Sequence, residues 1–140
     1  MHKQLATYTA VAVVMLVAAA LAVPAFAGGK TGSSGTSSIT LNGTASFGNT
    51  ASFTVVDPPV KSTPEMVVQC SQSSQQVYVD TQFMSGSSPY TPAFTLYSSQ
   101  WAANGGGPAD CSATLFYYVW QGNKETNVVI MATDNFTANG

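Results

Sequence analysis

Arginine is missing from this 140-residue chain, histidine occurs once and cysteine twice. The histidine is His2, inside a leader-like N-terminus, so the rest of the chain holds no imidazole to act as general base or zinc ligand near neutral pH. Beyond residue 27, Ser-His-Asp and Cys-His constellations are thereby excluded, and with them most hydrolases. Charge is equally scarce. After residue 27 there remain Lys30, Lys61 and Lys124 against Asp57, Glu65, Asp80, Asp110, Glu125 and Asp134, a formal net charge of −3. Three scattered lysines cannot neutralise a run of phosphates, which argues against nucleic acid and against an anionic membrane surface. The six acids stand singly, beside turns or on outward positions, and read as solvated groups rather than a catalytic carboxylate pair. No run resembles a D-x-D-x-D-G calcium loop, and Asp134-Asn135 alone is a weak signal, so no metal and no cofactor is implied.

What the chain does have begins with an export signal. Met1-His2-Lys3-Gln4 supplies a short positive start, Ala10 to Val23 is unbroken apolar sequence, and Pro24-Ala25-Phe26-Ala27 places small residues where a signal peptidase cuts. Residues 1–27 read as a signal peptide and the product as an extracellular protein. The alternative is an uncleaved tether: counted from Leu5 to Val23, the uncharged stretch approaches the roughly 20 residues of a spanning helix and would hold the domain at the cell surface. No second apolar span follows. In an exported chain an even pair of cysteines points to a disulfide rather than a nucleophile or a metal site, so Cys70 and Cys111 are expected to be bonded. Closing a loop of that length stabilises a fold by roughly 4 kcal/mol in the chain-entropy picture.

Residues 28–38 are Gly, Ser and Thr with one lysine, a composition that buries no apolar area and reads as a flexible linker. From residue 39 to 140 the pattern is β and fits one domain. Ile39-Thr40-Leu41 alternates. Thr44-Ala45-Ser46-Phe47 is repeated as Thr50-Ala51-Ser52-Phe53 across Gly48-Asn49, which predicts a hairpin or a strand corner. Asp57-Pro58-Pro59 and Thr63-Pro64 break the ladder, because proline cannot donate to it. Strands are expected over 65–71, with Met66, Val68 and Cys70 on one face, and over 75–83, with Val77 and Val79 opposite Tyr78, Asp80 and Gln82. Further strands are predicted at 94–97, 111–120 and 126–133, the last two joined by a tight turn at Gln121-Gly122-Asn123-Lys124. Seven short strands and almost no helix suggest an antiparallel β-sandwich.

Thr50-Ala51-Ser52-Phe53-Thr54-Val55, Val68-Gln69-Cys70-Ser71-Gln72 with Val77-Tyr78, Phe94-Thr95-Leu96 with Trp101, and Ala109-Asp110-Cys111-Ser112-Ala113 together resemble small secreted bacterial proteins, common in actinobacteria, that carry one immunoglobulin-like domain. The resemblance covers residues 43–138 and implies an immunoglobulin-like β-sandwich in an extracellular setting, with no shared activity to transfer. Antibody-type domains join their second and sixth strands by the disulfide and carry a tyrosine two residues before its second cysteine. Here Cys70 falls on the third strand and Ala109 stands at the tyrosine position, so the bond is expected to clip neighbouring strands of one sheet.

One strand stands out. Cys111, Ala113, Leu115, Tyr117 and Val119 form its expected core face, which leaves Phe116, Tyr118 and Trp120 on the opposite face, where Tyr78 is a candidate to join them. Such a strip can stack on sugar rings or dock a protein. The bland alternative is cross-strand pairing, or cover by a loop such as 85–92. These features point to a non-enzymatic binding or assembly domain, with an extracellular protein or a cell-envelope glycan as partner. A carbohydrate-binding module is the alternative, and a secreted hydrolase the remotest reading.

Overall fold

The computed structural model describes residues 37–57 and 62–140. The expected signal peptide and all but the last two residues of the expected linker lie outside them. Along the described residues run β1 (Ser38–Asn42), β2 (Ala45–Ser46), β3 (Thr50–Val56), β4 (Glu65–Gln72), β5 (Gln75–Phe83), β6 (Ala93–Thr95), the helix α1 (Ser99–Ala103), β7 (Ala109–Gln121) and β8 (Lys124–Asn139). One sheet has the order β1-β3-β6 and the other β2-β8-β7-β4-β5. The expected linker ends one residue too late, because Ser38 is already paired with Val56.

Alternation in the strands makes the core. Ala51, Phe53 and Val55 of β3, Met66, Val68 and Cys70 of β4, and Cys111, Ala113 and Leu115 of β7 are all buried. The ring of Phe53 meets Phe94 of its own sheet at 6.0 Å and Phe136 of the other at 5.5 Å, so the two sheets share one core. Fully burying a side chain of this kind stabilises the fold by about 1.5–3 kcal/mol.

The duplicated Thr-Ala-Ser-Phe segment is a corner, not a hairpin. Ala45 and Ser46 pair in parallel with Ala138 and Asn139 of β8, while Thr50 onward pairs with β1 and β6 of the other sheet. Between them Gly48 takes a positive φ of 78°, the left-handed conformation that glycine adopts without steric cost. Phe47 is thereby turned against Trp101, with ring centroids 5.2 Å apart. Gly106 completes this packing: a Cβ there would stand 2.6 Å from the Phe47 ring, closer than any side chain tolerates.

Cys70 and Cys111 are directly opposite in the β4–β7 ladder and are bonded, with Sγ atoms 2.05 Å apart and Cα atoms 4.0 Å apart. The bond joins adjacent strands of one sheet rather than the two sheets.

Three expectations need correction. Among the described residues there are eight strands rather than seven, and β7 and β8 are 13 and 16 residues long, since no proline or glycine interrupts either ladder. Tyr78 does not lie on the face of Phe116, Tyr118 and Trp120. It is paired with Cys70, shares the inward face of that residue, and is 6 % exposed with its ring 6.4 Å from that of Trp101. Val77 is also buried, because the ladder shifts register beside it. Tyr117 and Val119, expected in the core, are only half-buried, because the β4 ladder ends before it reaches them.

Candidate binding surface

Phe116 is the last β7 residue with a partner on β4, namely Glu65. Beyond it the β7 ladder continues with β8 down to Gln121 opposite Lys124, and among the described residues no third strand accompanies that ribbon. Partners opposite one another share a face. The face turned away from the core therefore carries Glu65 and Val67 of β4, Phe116, Tyr118 and Trp120 of β7, and Val128 and Ile130 of β8.

The three aromatic rings touch in sequence. Phe116 and Tyr118 are 5.4 Å apart at 87°, and Tyr118 and Trp120 are 6.3 Å apart at 61°, the edge-to-face arrangement that ring quadrupoles favour. Their exposure is graded. Phe116 is 3 % exposed, Tyr118 is half-buried and Trp120 is 55 % exposed. Of the four residues predicted for the strip, Trp120 and Tyr118 present surface, Phe116 is buried and Tyr78 belongs to the core. Phe83, opposite Glu65 on β5, is 69 % exposed and extends the apolar face sideways.

Two acids frame the strip, Glu65 across from Phe116 and Glu125 across from Trp120. Glu65 is 9 % exposed; its burial, and then the charge of Glu125, push its carboxyl above the usual range. Burial also raises the Tyr118 hydroxyl, followed by Glu65 and Glu125, so that ring feels both carboxylates. Among the described residues neither acid is held in an ion pair. Glu65, expected to be one of six solvated acids, joins the strip because the β4–β7 register sets it against Phe116. Phe83 was missed for the same reason.

The opposite end of the sheet is different in kind. An open depression of about 640 Å³ is lined by Gln72, Gln75, Asn104, Asp110 and Thr137 among others, with no aromatic ring. The Gln72 amide donates to the Gly107 and Pro108 carbonyls at 2.8 and 3.2 Å, which ties β4 to the glycine-rich loop and leaves its buried Oε1 without a partner. The amide nitrogen is thus engaged in bracing that loop.

No family model matches the chain, and no curated protein and no solved structure matches it either.

Proposed function

We propose that this is a non-enzymatic, immunoglobulin-like domain that acts outside the cell by binding or assembly, with the face around Tyr118 and Trp120 as its contact surface. The observation that carries the reading is Trp120. It stands 55 % exposed in line with two further rings, where a soluble domain left to itself places polar residues. Tryptophan and tyrosine in such a setting are the residue types that anchor interfaces.

The architecture supports the fold half of the reading. In immunoglobulin lettering, β1, β3 and β6 correspond to A, B and E, and β8, β7, β4 and β5 to G, F, C and C′. The departures are the disulfide within one sheet and a buried Trp101 supplied by α1 instead of strand C. Against catalysis stand the single His2 in the leader and the engagement of both cysteines in their bond.

The test compares the exported protein with a Tyr118→Ser/Trp120→Ser variant for retention on the envelope of producing cells. Loss of retention with an unchanged circular dichroism spectrum is expected, and equal retention would overturn the assignment. The flat, ring-bearing face also suits a sugar, so a polysaccharide pull-down with Trp120→Ala distinguishes the carbohydrate-binding reading. Export is checked by intact mass: the released protein should begin at Gly28 and lack two hydrogens for the disulfide.

A further inference from the structure

We propose that the strip receives a basic, apolar peptide segment of a partner protein, with Glu65 and Glu125 meeting its lysine or arginine heads while Tyr118 and Trp120 take the side-chain stems. The proposal deepens the binding role given to this surface and rests on it.

Charge complementarity is the first ground. Among the described residues the face carries two carboxylates and no cation; Lys124 is the neighbour of Glu125 along β8, and strand alternation turns it to the other side. The charge of Glu125 disfavours ionisation of Glu65, and a cation arriving between them relieves that conflict. The second ground is Glu65. An acid only 9 % exposed, beside Phe116 and Val67 and with no ion pair among the described residues, is costly to keep ionised, and solubility does not require one there. Groups held against stability in this way cluster at functional sites.

The third ground is shape. Small molecules choose concave pockets, whereas this surface is an open strip of rings spaced 5.4 and 6.3 Å along one strand. An extended or helical peptide matches it. Faces of tyrosine and tryptophan attract ammonium and guanidinium groups, and their edges accept aliphatic stems. An acidic segment would be repelled at both ends.

Trp120 reports the encounter, since Trp101 is fully buried. The exported protein is titrated with an alternating lysine–leucine octapeptide and, separately, with its glutamate–leucine counterpart, following tryptophan fluorescence. Saturable binding of the basic peptide alone is expected, weakened about tenfold or more in Glu65→Gln/Glu125→Gln and weakened again by salt. Equal binding of both peptides, or an unchanged affinity in the double variant, would mean that the strip binds without reading charge. This proposal would then fall while the contact role stood. If the basic peptide does not bind, the proposal also fails. If envelope retention in addition survives Tyr118→Ser/Trp120→Ser, the contact role fails with it.

Discussion

The two tryptophans divide this molecule. Trp101 is fully buried, donates its indole N–H to the Gly107 carbonyl at 2.9 Å, and packs among Phe47 and Tyr78. Trp120 lies at the end of a ribbon, 55 % exposed, against one neighbouring ring. The same side chain serves as a structural keystone in one place and as a contact group in the other. What differs is the number of layers around it: α1 closes over the end of a shared core, whereas the β7–β8 ribbon runs past β4.

If that contrast is right, Trp101→Ala should have the largest effect. A loss at the upper end of about 3–5 kcal/mol is expected, since a cavity opens and the Gly107 carbonyl loses one of its two donors. Urea melts measure it, and a loss under about 1 kcal/mol would remove Trp101 from its role. Next comes Cys70→Ala/Cys111→Ala. The 41-residue separation predicts a cost of roughly 4 kcal/mol, an upper figure because the β4–β7 ladder already holds the two strands together.

Smaller effects test the polar details. The Tyr78 hydroxyl is buried near Asp80 without reaching hydrogen-bond geometry, and burial first, then Asp80, push it up to about 12. Tyr78→Phe should therefore stabilise the fold by about 1 kcal/mol at neutral pH. A hydroxyl raised in the folded state contributes stability that is fully present below its ordinary value near 10 and is lost as pH climbs toward 12. The variant should accordingly lack the wild type's extra alkaline destabilisation in that window.

Glu65 has the same sign of shift in the acid range. Its contribution is present below the ordinary glutamate value of about 4.3 and is lost as pH rises through its elevated folded value. Glu65→Gln should raise the melting temperature at pH 7, with the gain fading toward pH 4. A destabilised variant at pH 7 would instead assign Glu65 a structural role. The smallest expected change is that of Trp120→Ser, within about 0.5 kcal/mol in stability while the contact is lost. A large loss of stability would make the outer rings a second core and erase the contrast.

Much of the fold was legible residue by residue. Met66, Val68 and Cys70 alternate inward as their spacing implies, the 75–83 strand has the bounds expected for it, and the turn at Gln121 to Lys124 closes a hairpin. Tyr78 was misplaced because its inward orientation depends on being opposite Cys70, beside a register shift that no local pattern encodes. Phe116 was expected in the open and is covered, and Glu65 joined the strip only through its partner on β7.

By itself, then, the sequence determined the β character of the domain, the inward stripes of β3, β4 and the first half of β7 and the scarcity of catalytic groups, because period-2 alternation and composition are local properties. Tertiary structure alone decided which strands are neighbours and how far the β7–β8 ribbon outruns the sheet. It thereby decided that one tryptophan is enclosed and the other left exposed opposite Glu125. Such juxtapositions come from cross-strand register and from the ends of strands, and both are set by residues far apart along the chain.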